Sequence, residues 1–206
     1  MQKSTSIFNM NPFANEMKFI SQNVRSLKNK AQANNLDTII NTVKVNNISA
    51  YCIQETWLDG NFIKERNGYT FFHHGLAKQT CKRGQKGVGV ILSPELTKYY
   101  KGTGSIPPVI PKNENSMELG RFIGIKLKFD IICKKNSAFR KKKNNNKSIP
   151  TNIFLSSVYH PVELQYQRIF NEYLASLYCD IPSSYKMTSG QDMNASIGSR
   201  INDNTV

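Results

Sequence analysis

The chain has no apolar run approaching the ~20 residues needed to cross a bilayer. Its opening stretch, "MQKSTSIFNMNPFANEM", lacks the uninterrupted apolar segment of a secretory signal and reads as a loose leader over 1–16. Cysteine is sparse: the four residues Cys52, Cys81, Cys133 and Cys179 show no C-x-x-C spacing and have no histidine at metal-finger distance. That excludes a disulfide scaffold and a zinc finger, and it fits reduced thiols inside a cell; Cys52, within an apolar run, is most simply a small core residue. No Gly-rich phosphate loop is present, because "GQKGVG" (84–89) lacks the Lys-Ser/Thr ending and the strand-then-helix setting. No internal repeat is visible. Acidic residues are few, 14 against 28 basic ones, for a formal charge of +14.

A basic excess of that size points to a polyanionic partner, nucleic acid first and a membrane surface second. The excess is mostly lysine and travels with asparagine ("KKKNNNKS"), a pairing that an AT-rich coding sequence also produces. The charge is a binding footprint only where it gathers on one face. The chain is not short of apolar residues, with 39% hydrophobic content, 11 Phe and 9 Tyr, which is enough for a packed core and too apolar for wholesale disorder.

"MKFISQNV" (17–24) reads as a short strand ending in a polar turn. In "NNLDTIINTVKVNN" (34–47), Leu36, Ile39, Ile40 and Val43 fall at helical spacing, so one face is buried. "ISAYCIQET" (48–56) is then a strand with polar residues at its end, and strand–helix–strand marks an α/β layer. "KGVGVILS" (86–93) is a further buried strand in which Gly87 and Gly89 announce a bulge or a close backbone approach. "GRFIGIKLKFD" (120–130) alternates, with Ile123, Ile125, Leu127 and Phe129 against Gly124, Lys126, Lys128 and Asp130, which predicts a half-exposed antiparallel strand. A basic, low-complexity insert over 133–148 separates it from the strand "TNIFLSSVY" (151–159). "ELQYQRIFNEYLASLY" (163–178) is the strongest helix, with an apolar stripe of Tyr166, Ile169, Phe170, Tyr173, Leu174 and Leu177 expected in the core. "SSYKMTSG" (183–190) should be a last, polar strand.

Polar residues recur where these strands end: Asn23, then Gln54 and Glu55, then Tyr159, then Asp192 and Asn194. Loops after strands are where layered proteins assemble their sites. A lone glutamate can hold Mg²⁺, which accepts one or two carboxylates and keeps several waters. An asparagine can orient that carboxylate. An aspartate can align or deprotonate water, and a second asparagine with a tyrosine can donate to phosphate oxygens. Together these are the parts of metal-assisted phosphodiester hydrolysis.

"SQNVRSLK", "CIQETWL", "KGVGVIL", "VYHP" and "GQDMNASIG" also stand in the order of the endonuclease/exonuclease/phosphatase superfamily, and the chain resembles that family from about residue 17 to residue 198. The wording "QNVR…CIQETW" most resembles the endonuclease domains of LINE-type retrotransposons. The resemblance implies an α+β fold, a layered α/β sandwich, over 17–206. It implies a DNA partner, no membrane, Mg²⁺ as cofactor, and a nuclear location if the chain derives from an active retroelement. Glu55 would bind the metal with Asn23 beside it, Asp192 would position the attacking water, and Asn194 and Tyr159 would stabilise charge on the phosphate. Arg25 and the cluster Arg140, Lys141, Lys142 and Lys143 would face DNA. Departures are Gln191 before the aspartate, Val162 after Tyr-x-Pro, and Arg25 two residues after the first asparagine. His160 falls at a variable position and is expected to face solvent, while His73 and His74 carry no motif. The family closes with a Ser-Asp-His segment absent here, so the second half of the sandwich is expected to be incomplete and nuclease activity weak or absent. Two other readings stay open: a related hydrolase of lipid or inositol phosphates, and a non-catalytic basic remnant that only binds nucleic acid.

Overall fold

The computed structural model describes residues 17–27, 35–76, 86–112, 119–129 and 152–193. The leader, the insert at 133–148 with Arg140, Lys141, Lys142 and Lys143, and Asn194 all lie outside the described residues. In chain order the elements are β1 (Phe19–Asn23), α1 (Asn35–Val45), β2 (Ala50–Gln54), β3 (Phe62–Arg66), β4 (Tyr69–His74), β5 (Val88–Leu92), α2 (Pro94–Gly102), β6 (Phe122–Leu127), β7 (Asn152–Tyr159), α3 (Leu164–Cys179) and β8 (Tyr185–Asp192).

The strands form two sheets, a large one ordered β1-β2-β5-β4-β3 and a small one ordered β6-β7-β8. Two pairs are parallel, β1 with β2 and β7 with β8, and each is joined by a chain segment that contains a helix, as a parallel connection requires. The other pairs are antiparallel. Asn67 and Gly68, at φ 52° and 83°, turn β3 into β4, the two-residue left-handed turn that matches strand twist.

Side-chain alternation builds the layers. One face of the large sheet gives Phe19, Ala50, Cys52, Phe72, Val88, Val90 and Leu92 to the space between the sheets. The small sheet answers with Ile123, Ile125, Leu127, Ile153 and Leu155. On the far side of the large sheet, Ile40 and Val43 of α1 pack on Tyr51, Ile53, Phe71 and Ile91. On the far side of the small one, Phe170 and Leu174 of α3 pack on Phe122, Phe154 and Val158. The result is a helix–sheet–sheet–helix sandwich. Helix α2 is capped by Ser93, whose Oγ accepts from Leu96 N at 3.3 Å, and it buries Leu96, Tyr99 and Tyr100 against one end of the core. Among the described residues no helix is long and apolar enough to cross a membrane.

Two packing expectations need correction. Strand β6 is antiparallel as expected but not half-exposed. Both its faces are covered, and a Cβ at Gly124 would lie 2.3 Å from the Phe154 ring. The stripe of α3 is narrower than its periodicity predicts. Phe170 and Leu174 are buried, Tyr173 and Leu177 pack partly, and Tyr166 and Ile169 stay 40% and 50% exposed. The small sheet spans three strands, so a 16-residue helix overhangs it.

Candidate active site

The parallel pairs bring four strand ends to one end of the sandwich. Asn23 sits opposite Gln54 in the β1–β2 register, and Tyr159 sits opposite Asp192 in the β7–β8 register. Gln54 ties the two sheets at this level. Its side chain is buried, and its Nε2 donates to Ser157 Oγ at 3.0 Å and Gly190 O at 3.2 Å, with Ser21 Oγ 3.1 Å away. Ser157 Oγ in turn donates to Ile53 O at 3.0 Å. Leucine in its place would leave these buried partners short of a donor. Gln54→Leu should therefore cost about 2–4 kcal/mol in a urea titration, and an unchanged midpoint would contradict this reading of the tie.

Above the tie, Asn23 Nδ2 donates to Glu55 Oε1 and to Asp192 Oδ2, each at 2.6 Å. The other end of the amide is settled too, since Asn23 Oδ1 accepts from Arg25 N at 3.0 Å. That bond fixes which way round the amide stands. One amide therefore holds two carboxylates from different sheets. Glu55 follows directly after β2 in the left-handed region at φ 54°, a conformation that costs a non-glycine residue about 1 kcal/mol or more. Hydrogen bonds on either side hold it there: Ser26 N to Glu55 O at 2.7 Å, Leu27 N to Thr56 O at 2.7 Å, and Thr56 N to Gly87 O at 3.0 Å. Gly87, at φ 110°, supplies the close backbone approach expected of it.

Tyr159 adjoins this cluster, and with it comes a residue the sequence did not single out. The Arg121 guanidinium lies 4.9 Å from the Tyr159 ring centroid, and its Nη1 donates to His160 O at 3.1 Å and Tyr159 O at 3.4 Å. Burial lowers the Arg121 pKa, while the nearby Tyr159, Glu163 and Glu55 oppose that shift, so the cation sits within electrostatic reach of the cluster. "GRF" at the start of a strand was the available signal, an arginine where the alternation had yet to begin. Arg25 is exposed, and its backbone serves the site through Asn23. His160 departs from expectation. It is buried, its ring meets Phe170 edge-on at 5.3 Å, and its backbone N–H donates to Asp192 O at 2.9 Å. Burial depresses its pKa, against the pull of Gln191 and Asp192. The turn out of β7 swings it under α3 instead of into solvent. Cys52 is a core residue as expected, with burial pushing its thiol up to about 12.

Among the described residues no group of three or more His, Cys, Asp and Glu side chains could hold a metal ion. Mg²⁺ does not ask for one, since one or two carboxylates at about 2.0–2.1 Å with several waters suffice. Glu55 Oε1 and Asp192 Oδ2 both touch one nitrogen at 2.6 Å, so they lie no more than twice that distance apart. Two hard oxygen donors that close, on a rigid strand-end frame, fit Mg²⁺ and its water shell. Soft thiolate or imidazole donors are not part of the cluster.

No protein-family model matches the chain, and no curated protein does. Solved structures do match. One is the endonuclease domain of TRAS1, a telomere-specific non-LTR retrotransposon, with 11% identity, a TM-score of 0.44, and 87% of this chain and 59% of that one covered. Another is the AP endonuclease LMAP from Leishmania major, with 18% identity, a TM-score of 0.49, and coverage of 84% and 54%. The chain is similar in fold to these endonucleases. It spans less than two thirds of the length of either. At such identities and TM-scores the likeness says nothing about chemistry, and the functional reading rests on the side chains themselves.

Proposed function

We propose that this protein is a Mg²⁺-dependent phosphodiester hydrolase acting on DNA. The observation that carries the reading is the Asn23 amide held between Glu55 and Asp192, 2.6 Å from each, across two sheets. Neither a core nor a solvated surface has use for two acids brought to one donor, and a hard cation does. Glu55 is the proposed metal ligand. Asn23 orients it, because its oxygen is already committed to Arg25 N and only its N–H groups face the acids. When bound, Mg²⁺ polarises a phosphoryl oxygen and offsets the charge that builds there. Asp192 aligns a water and accepts its proton. Tyr159 and Asn194 donate to the phosphate oxygens, with the Arg121 cation behind Tyr159 favouring the negative charge. The +14 charge, with Arg25 and Arg140, Lys141, Lys142 and Lys143 as its proposed contacts, favours a polyanionic substrate held along its backbone.

The test is nicking of supercoiled plasmid in Mg²⁺, beside an inositol phosphate and a phospholipid headgroup as competing substrates. Glu55→Ala and Asp192→Ala should each cut the nicking rate about a hundredfold or more with the fold retained. Trp57, the single tryptophan, stands two residues from Glu55, so quenching of its fluorescence by Mn²⁺ reads metal binding independently of turnover. Nicking that persists in Glu55→Ala or in a chelator overturns the proposal. So does a wild-type protein in which Mn²⁺ leaves Trp57 unquenched.

A further inference from the structure

His73 carries no motif, yet the loop that presents Glu55 is built around it. The imidazole is 2% exposed. Its Nδ1 lies 2.8 Å from Gly60 O, and its Nε2 lies 2.7 Å from Thr56 Oγ1. A carbonyl oxygen can only accept, so Nδ1 carries the proton and Nε2 accepts from the Thr56 hydroxyl. Thr56, itself fully buried, accepts in turn from Leu58 N at 3.4 Å. The imidazole therefore clasps both ends of the loop 55–60. Stacking on Phe62 at 4.6 Å and an edge contact with Phe71 at 5.8 Å hold the ring in place. Two glycines make room for it. A Cβ at Gly75 would lie 2.6 Å from His73 Cε1, and one at Gly87 would lie 2.3 Å from Thr56 Oγ1 and 3.2 Å from His73 Nε2.

The loop so clasped is one that would relax if released. Glu55 and Trp57 both sit in the left-handed region, at φ 54° and 57°, and neither is a glycine. Thr56, between them, is the point where the clasp acts. We propose that His73 is a positioning residue for the metal site: through the Thr56 hydroxyl it fixes the Glu55 peptide in the conformation that aims the carboxylate at Asn23 and Asp192. The proposal rests on the reading of Glu55 as a Mg²⁺ ligand. Groups that orient a ligand from behind are commonly worth 10- to 100-fold in metal affinity.

The experiment is Mn²⁺ quenching of Trp57 in the full chain, with circular dichroism to confirm folding. Thr56→Val keeps the shape and removes the hydroxyl, and Thr56→Ser restores the hydroxyl on a smaller side chain. Thr56→Val should weaken Mn²⁺ about tenfold, and Thr56→Ser should return most of the loss. His73→Phe should weaken Mn²⁺ similarly, and the double variant should be no worse than either single one, since both cut the same link. If His73→Phe fails to fold, the threonine pair alone carries the test. Wild-type affinity in Thr56→Val, or no recovery in Thr56→Ser, overturns the assignment while leaving the metal site standing. Absence of quenching in the wild type overturns the metal reading and this inference with it.

Discussion

Lowering the pH from 7 to 4.5 should destabilise this protein markedly. The cause lies in β4. Burial pushes the pKa of both His73 and His74 down to about 4, aided at His73 by the neighbouring His74 and opposed there by the Gly60 carbonyl and Asp59. In the unfolded chain both rings titrate near 6.5. As pH falls through that value the unfolded state takes up two protons that the folded state refuses. Stability is therefore whole above about pH 6.5 and drains away until about pH 4, where the folded rings begin to protonate. Each ring contributes about 3 kcal/mol over the full window. Against a typical total of about 5–15 kcal/mol, the pair is a large share of the stability at stake in mild acid. His160, depressed in the same direction by its own burial, adds to the loss. Thermal melts at pH 7 and pH 4.5 should differ by about 10 °C for a chain of this size, and the difference should shrink in the His73→Gln/His74→Gln double variant. Equal melting temperatures at the two pH values would show that these rings are not held neutral.

That sensitivity could not be read from "FFHH". The residues are adjacent and polar, and an alternating strand should expose one of them. Both are buried because β4 lies inside the large sheet, between β3 and β5, with one face toward α1 and the other toward the small sheet. Strands β1, β2, β5, β6 and β7 and helices α1 and α3 are legible because their apolar residues form short runs or recur at period 2 or 3.6, whereas the polar β8 is placed only as the segment that leads into the Asp192 turn. The β3–β4 hairpin and α2 carry weaker signals that were there to be used. Asn67-Gly68 between two β-rich runs is a hairpin turn, and Ser93-Pro94-Glu95 ahead of Leu96 is a helix start. The site divides the same way. Asn23, Glu55 and Asp192 stand out as polar residues at strand ends, although 32 and 169 residues separate the bonded pairs. Arg121 and His73 do not stand out, because their roles exist only once β6 and β4 are laid beside their neighbours. His160 misled for the converse reason, since nothing local foretells that Phe170 of α3 will cover it.

Gly190 lies at a tight contact between the two sheets, and alanine there should damage stability and metal binding together. Gly190 sits in β8 where that strand crosses β1 and β2. A Cβ would lie 2.4 Å from Cys52 Cβ and 2.8 Å from Ser21 Oγ. Both are closer than packed atoms come, and Cys52 Cβ, bonded to the backbone of a strand inside the large sheet, has no rotamer that withdraws it. The sheets must part locally. Overpacking of this kind costs about 1–3 kcal/mol or more. Parting them also stretches the bond from Gln54 Nε2 to Gly190 O, and a buried amide left short of a partner adds about 1–3 kcal/mol. Asp192 is two residues further along the same strand, so any displacement of β8 is passed to the carboxylate that Asn23 must reach across the gap between the sheets. Gly190→Ala should lower the melting temperature by about 10 °C, and Mn²⁺ quenching of Trp57 should weaken even at temperatures where the variant is folded. Gly102→Ala is the control. At that glycine, the last residue of α2, a Cβ meets nothing within 4 Å, so alanine should be neutral or stabilise by up to about 1 kcal/mol. A Gly190→Ala protein that melts and binds Mn²⁺ like the wild type would mean that the sheets are not held this close, and the distance over which one amide joins two acids would lose its structural basis.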